Sequence, residues 1–325
     1  MSVQLPEKDG WIWRNGEFIP WKEAQVHVMS HVIHYGSSVF EGVRCYRTPS
    51  GPAVLRLRDH MRRFADSAHI YRMDLPYSSE ELSDCVVELI RRNHLEECYI
   101  RPLAFRGFGA VGLDPTASPI DTYLVCWPWG AYLGAEAMNS GVDVCISSWQ
   151  RPAPNTFPTL AKAGGNYLNA QLMKMEAVAN GYAEAIALNV RGMVSEGSGQ
   201  NLFLVRDGVL YTPPQDGAML PGITRDCVMT LAREMKIPVA LQEIPREALY
   251  IADELFFTGT ASEISPIRSV DRIPVGKGEP GSIALRLQKE LMDLAKGLRP
   301  DPYEWLTPVQ RKDAPSASVK AQVTG

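Results

Sequence analysis

The spacing of apolar and polar residues changes period several times along the chain, and each change marks an element. Residues 11–19 (WIWRNGEFI) set Asn15-Gly16 between two apolar runs. That pair predicts a hairpin, because the favoured two-residue turn needs left-handed backbone at both central positions. Asp207-Gly208 predicts another. Apolar runs at 53–57 (AVLRL), 99–105 (YIRPLAF), 121–127 (DTYLVCW), 142–148 (VDVCISS) and 254–258 (ELFFT) read as strands, as do EAIALNV and MVSEGSGQNLFLV. Elsewhere the period lengthens to that of a helix. Asp59 is expected to cap a helix whose apolar face is Met61, Phe64, Ala65 and Ala68. Ser78 with Glu81 has the spacing of a capping box, ahead of a stripe of Leu82, Val86, Leu89 and Ile90. Leu168, Leu172, Met175 and Ala179 stripe a helix over about 166–180 that stops at Gly181. Ile223, Cys227, Val228, Leu231 and Met235 stripe another after Pro221-Gly222, and a last helix covers about 282–296, ending at Gly297.

Strands and helices are mixed throughout, so the fold class is α/β (α+β). The length, 325 residues, suggests about two domains. The expected division is a small α/β domain over 1–127, a connecting loop over 128–134, a larger domain over 135–311 and a disordered tail over 312–325. The loop is PWGAYLG. A plain linker would be polar, so its aromatics suggest a packed segment lining a cleft.

Composition narrows the classes. Hydrophobic residues make up 45% and charged residues 22%, which excludes a disordered or collagen-like chain. The net charge of −4 leaves no electrostatic footprint for nucleic acid. No apolar run reaches the ~18 residues of a membrane span. The first residues lack the cationic start and apolar block of a secretory signal. Cys45, Cys85, Cys98, Cys126, Cys145 and Cys227 form no C-x-x-C pair. A cytoplasmic protein with reduced, mostly buried thiols is expected.

Several motifs could carry chemistry. Gly107-x-Gly109-x-x-Gly112 matches the dinucleotide fingerprint as a string, but Pro115 and Pro119 leave no room for the helix that motif requires. Its glycines are expected to make a mobile loop. His27, His31 and His34 lack an acidic partner within the stretch, and local hydrogen bonding is expected in place of a metal. Pro221-Gly222-Ile223-Thr224 opens a helix and could present backbone N–H groups and a hydroxyl to an anion, or could be an ordinary cap by Thr224. Thr258-Gly259-Thr260-Ala261-Ser262 could be a second such cup. Lys162 sits among small uncharged residues, where a lowered pKa would suit Schiff-base chemistry. A surface lysine beside a Gly-Gly turn fits the same string. Glu196 lies between apolar strand residues, so it needs a cationic partner.

Taken in order, AKAGGNYLNAQL, VSEGSGQNLF, LPGITRD and FFTGTASEISP resemble the fold type IV pyridoxal-phosphate enzymes. HVMSHVIHYGSSVFEGVRCY, HMRRFADSA, YIRPLAF and PWGAYLGAEA extend the likeness, which is closest to the bacterial branched-chain amino acid aminotransferases. The resemblance implies a two-domain fold like that of D-amino acid aminotransferase, with pyridoxal 5'-phosphate in the interdomain cleft. It implies reversible amino transfer between leucine, isoleucine or valine and 2-oxoglutarate. Lys162 resembles the lysine that bonds to the cofactor and moves the proton, Glu196 the carboxylate at the pyridine nitrogen, and Tyr167 the donor to the phenolic oxygen. Arg63, Ile223, Thr224 and Thr260 resemble the phosphate ligands, although Arg63 falls opposite the apolar stripe of its helix, where periodicity alone calls it solvated. Tyr35, Phe40, Trp129, Tyr132 and Ala261 resemble the substrate pocket, and Tyr99-x-Arg101 the pair that accepts glutamate. Val111 resembles a residue reaching into a partner subunit's site, which implies at least a homodimer. A D-amino acid or (R)-amine aminotransferase, or a protein that only binds the cofactor, are the alternatives on this scaffold.

Overall fold

The Asn15-Gly16 turn joins β1 (Trp11–Arg14) to β2 (Glu17–Pro20), with both turn residues at positive φ. The computed structural model describes residues 9–129, 139–215 and 218–309. β3 (Ser38–Phe40), β4 (Val43–Thr48), β5 (Gly51–Leu55), β6 (Cys98–Arg106) and β7 (Ile120–Trp127) complete an antiparallel sheet with β1 and β2. Its spatial order is β5, β4, β6, β7, β1, β2, with β3 also on β6. Leu306–Pro308, from the far end of the chain, pairs with β5 at the edge. After the short helix α1 (His31–Tyr35), helices α2 (Leu57–Ile70) and α3 (Ser79–Arg92) pack together against this sheet. Their apolar stripes, Met61, Phe64 and Ala68 with Leu82, Val86, Leu89 and Ile90, close on Trp13, Val43, Val54 and Leu124. The Ser78–Glu81 capping box forms.

The second sheet holds β8 (Val142–Ile146), β9 (Glu184–Leu188), β10 (Val194–Gly197), β11 (Asn201–Arg206), β12 (Val209–Thr212), β13 (Val239–Leu241), β14 (Glu254–Gly259), β15 (Glu263–Val270) and β16 (Ile273–Pro274). β8 runs parallel to both β9 and β15. β10 pairs with β9 on one side and β11 on the other, so β10, β9, β8, β15, β14 and β11 close a ring. Helices α4 (Tyr167–Ala179), α5 (Ile223–Glu234) and α6 (Ser282–Ala295) pack outside it. Leu231 of α5 and Leu287, Leu291 and Leu294 of α6 bury against Phe203, Val205 and Phe256. No helix among the described residues is long and apolar enough to cross a membrane.

Three expectations change. Asp59 does not cap α2: the helix starts two residues earlier, after Arg56 in left-handed backbone, and Asp59 is drawn into an ion pair with Arg56. Two of the three glycines after β6 sit in close packing rather than in a loose loop. A Cβ on Gly107 would lie 2.1 Å from Asp121 Oδ2 and one on Gly109 2.8 Å from Pro119 Cδ, whereas Gly112 stands in open space at a φ of +142°. His31 also ties this loop down, through its backbone N–H to Gly107 O at 3.0 Å and its Nε2 2.9 Å from Gly112 O. The stripe of α4 is reversed: Ala170, Met173 and Ala177 are buried, while Leu168, Leu172, Met175 and Ala179 face out. The proposed tail lies outside the described residues, as do residues 130–134 of the connecting loop.

Candidate active site

α2 carries a second stripe beside its apolar one: His60, Arg63 and Ser67, at spacings of three and four. Against the periodic reading, the Arg63 side chain is only 12% exposed, whereas Arg62 is 75% exposed and sits 3.5 Å from Asp59. Arg63 donates from Nε and Nη2 to the two oxygens of Glu41 at 2.6 and 2.9 Å, and from Nη1 to Pro221 O at 2.8 Å. His60 Nδ1 lies 2.7 Å from Glu41 Oε2. Burial alone would push the Glu41 carboxyl up, but Arg63 and His60 hold it well below the usual carboxylate range. Burial pushes His60 down, with Glu41 opposing.

Ser67 connects this helix to Lys162. Its hydroxyl donates to Arg63 O at 2.7 Å and accepts the Lys162 N–H at 3.0 Å. On the other side Phe40 N–H donates to Lys162 O at 2.9 Å, and Val39 bridges Ala163. The backbone at Lys162 is therefore held from two directions. One 3-10 turn, Gly164–Asn166, then starts α4 at Tyr167. Lys162 Nζ donates to Tyr167 Oη at 2.6 Å and lies 4.8 Å from the centroid of the Phe40 ring.

Glu196 stands where β10 closes the ring, and its side chain is only 6% exposed. Arg151 Nη2 donates to its Oε1 at 2.9 Å; Asn201 Nδ2 and Leu220 N–H donate to Oε2 at 3.2 and 3.3 Å. Burial raises the Glu196 carboxyl pKa; Arg151 and the Leu220 N–H oppose it. The following turn is fixed by buried Glu184, which accepts from Ser198 Oγ at 2.6 Å and Gln200 Nε2 at 3.1 Å.

These groups face one cleft, lined from the first sheet's side by Gly42, Arg63 and Tyr99 and from the second's by Lys162, Tyr167, Glu196, Ile223, Thr224, Thr260 and Ala261. Its space, open mouth included, is about 750 Å³. Gly222 leads α5 into it; a Cβ there would lie 1.9 Å from Asn201 Oδ1. Thr224 is not the cap of α5, which is Gly222, so the Thr224 hydroxyl is not spent on capping. Thr258 Oγ1 and Ser262 Oγ are buried without a hydrogen-bond partner among the described residues.

Next to the cleft, and joined to it through Tyr99 and Lys162, lies an aromatic cluster whose Phe40, Arg101 and Trp129 do not themselves line it. Arg101 lies with its Cζ 4.7 Å from the Phe40 ring, 5.5 Å from Tyr99 and 5.9 Å from Trp127, and its buried Nε has no hydrogen-bond partner among the described residues. Trp129 meets Tyr99 edge to face at 4.4 Å. The Phe40 ring thus neighbours both Lys162 Nζ, at 4.8 Å, and Arg101 Cζ, at 4.7 Å. Tyr35 is exposed and packs on His31, and Val111 is 55% exposed; neither lines the cleft of its own chain. Tyr132 lies outside the described residues. Sequence reasoning missed Glu41, His60, Ser67, Arg151 and Glu184. Glu41 carried the clue that singled out Glu196, an acid among apolar residues (SVFEGV), and His60 with Ser67 shared the helical spacing of Arg63.

Residues 38–270 match the family Amino-transferase class IV. The Salmonella typhimurium (strain LT2) branched-chain-amino-acid aminotransferase is 52% identical over 304 residues, which span 93% of this chain and 98% of that protein. The crystal structure of the Escherichia coli branched-chain amino acid aminotransferase superposes with a TM-score of 0.91 at 51% identity, covering 93% of this chain and 100% of that one. The branched-chain amino acid aminotransferase from Thermobaculum terrenum, in its PLP-bound holo form, superposes with a TM-score of 0.87 at 35% identity, covering 94% and 100%. On sequence, fold and near-complete coverage of both partners, the chain belongs to the class IV amino-transferases.

Proposed function

We propose that this protein is a pyridoxal 5'-phosphate-dependent branched-chain amino acid aminotransferase, moving the amino group reversibly between leucine, isoleucine or valine and 2-oxoglutarate. The observation that carries the reading is the pairing of Lys162 with Tyr167 in a cleft that also holds a buried carboxylate, Glu196. Beside it stands Arg101, which has no carboxylate mate among the described residues. The related proteins' names agree with the reading.

The residues fit the cofactor. Arg63, the N–H groups of Ile223 and Thr224, and the hydroxyls of Thr224 and Thr260 would hold its phosphate; Thr258, on the same cleft wall, has a buried hydroxyl with no hydrogen-bond partner among the described residues. Glu196 would hold a protonated ring nitrogen, and Tyr167 the phenolic oxygen. When bound, the cofactor supplies an electron sink for the pair released as the substrate's Cα–H bond breaks. Lys162 Nζ would hold the cofactor covalently at rest and carry the proton during turnover. Arg151 favours the charged form of Glu196, offsetting part of the cost of burial. Phe40, Tyr99 and Trp129 offer a branched side chain an apolar wall, and Arg101 meets the γ-carboxylate of glutamate in the same space. Val111 would complete a neighbouring subunit's site in a dimer or larger assembly.

An amino-donor panel of both enantiomers, with 2-oxoglutarate as acceptor, tests the reading. L-leucine, L-isoleucine and L-valine are expected to be the leading donors. Preference for D-amino acids or (R)-amines would overturn it.

A further inference from the structure

We propose that Glu41 is a positioning residue for the cofactor's phosphate, acting through Arg63; the proposal rests on the assignment of Arg63 to that phosphate above. A guanidinium has five N–H donors in a rigid plane. Two go to the oxygens of Glu41, at 2.6 and 2.9 Å, and one to Pro221 O at 2.8 Å. That leaves two, on a side chain that lines the cleft beside Ile223 and Thr224. The bidentate pair fixes the plane, so those two donors are set before any anion arrives.

Glu41 is itself held as a fixed point. It is fully buried, and its Oε2 also accepts from Gly42 N–H at 3.2 Å and lies 2.7 Å from His60 Nδ1. Its backbone N–H donates to Pro102 O at 2.9 Å, one residue after Phe40 is tied to Lys162 O. One stretch of backbone thereby places both the residue that orients Arg63 and the ring beside Lys162. Glu41 also balances the buried charge of Arg63, so the arginine's contribution to binding is directional more than net Coulombic.

The test separates orientation of the phosphate ligand from general support of the fold. Apo protein is titrated with pyridoxal 5'-phosphate and, separately, with pyridoxal, which lacks the phosphate. Glu41→Gln keeps the shape but turns an amide N–H toward an arginine donor. It is expected to weaken pyridoxal 5'-phosphate at least about tenfold, the scale of a charge-assisted hydrogen bond. Pyridoxal affinity should stay within about twofold, since Arg63 touches only the phosphate. Added to Arg63→Ala, Glu41→Gln should cost nothing more. Equal loss for both ligands, or loss for neither, overturns the proposal. Arg63→Ala alone checks the underlying assignment. If it fails to weaken pyridoxal 5'-phosphate selectively, that assignment falls; if it does so and Glu41→Gln does not, only the role of Glu41 falls. Should Glu41→Gln not fold, Glu41→Asp carries the same comparison, because it keeps the charge but is one methylene too short for both bonds.

Discussion

Lys162, the residue proposed to react, is held closely in place. Its carbonyl and N–H are each bonded to a different element, and its Nζ reaches the tyrosine that starts the next helix. If that geometry serves covalent attachment, borohydride treatment should fix the cofactor on Lys162 in peptide maps. Lys162→Ala should abolish both the adduct and nearly all turnover; an adduct on another lysine would refute the assignment. Arg101 makes a sharper case. Leucine brings a hydrocarbon to the rings around it and needs no cation, whereas glutamate brings a carboxylate that would be costly to bury unpaired. Arg101→Ala should therefore cost the glutamate half-reaction about 3 kcal/mol, roughly a hundredfold, and the leucine one far less. Single-turnover half-reactions followed by cofactor absorbance measure the two separately, and equal losses would make Arg101 structural. Lys162 and Tyr167 share one contiguous motif, whose resemblance to a family nominates them where spacing alone leaves Lys162 open. Arg151 and Glu41 could not be read from the string, because Arg151 meets Glu196 and Glu41 meets Arg63 only after the fold closes long loops, and no period links such pairs.

Elements were legible where one face meets one core. The hairpins at Asn15-Gly16 and Asp207-Gly208, the capping box and the stripe of α3 all formed as the spacing predicts. α2 and α4 departed from the simple reading because each has two partners or an uncovered one. α2 lies between the first core and the cleft, so its polar stripe is buried as well. Ser67, fully buried on that stripe, gives the arrangement a measurable cost. Ser67→Ala would leave the Lys162 N–H without its acceptor, which should destabilise the protein by about 1–3 kcal/mol. Ser83→Ala is the control, since Ser83 Oγ merely back-bonds to Ser79 O within α3; it should cost under about 0.5 kcal/mol. Thermal or denaturant melts of the pair check this, and equal costs would show that the Ser67 bridge carries no weight. The thiols belong to the same scale. Cys45 and Cys98 are register partners on β4 and β6, and all six cysteines are free thiols. Only Cys85 is even partly exposed, with its pKa pushed up to about 11 by burial and nearby acids. Native protein should therefore label with a thiol reagent at Cys85 alone, and slowly, while denatured protein labels at all six. Fast labelling of Cys98 in the native state would contradict its burial.

At the scale of the whole molecule, one chain leaves apolar surface uncovered. Leu168, Leu172 and Met175 face outward from α4, and Phe108, Val111 and Leu113 stand out from the loop after β6, with Leu113 91% exposed. Two such groups of exposed large apolar side chains fit a protein that assembles with further copies. Val111 cannot serve the cleft of its own chain as that chain is folded, so its proposed role requires a second copy. Complementation distinguishes the two arrangements. Lys162→Ala removes the reacting amine, and Val111→Asp would put a charge into an apolar wall, so each homodimer should lose most of its activity. In a mixed dimer, one site would combine the intact Lys162 of one chain with the intact Val111 of the other, and the second site would carry both defects. Random pairing at equal expression makes half the dimers mixed, each with one good site of two. Co-expression should then restore about a quarter of the parent activity. If Val111 acts within its own chain, or only in folding, no site in the mixture is intact and the restored activity should be close to zero.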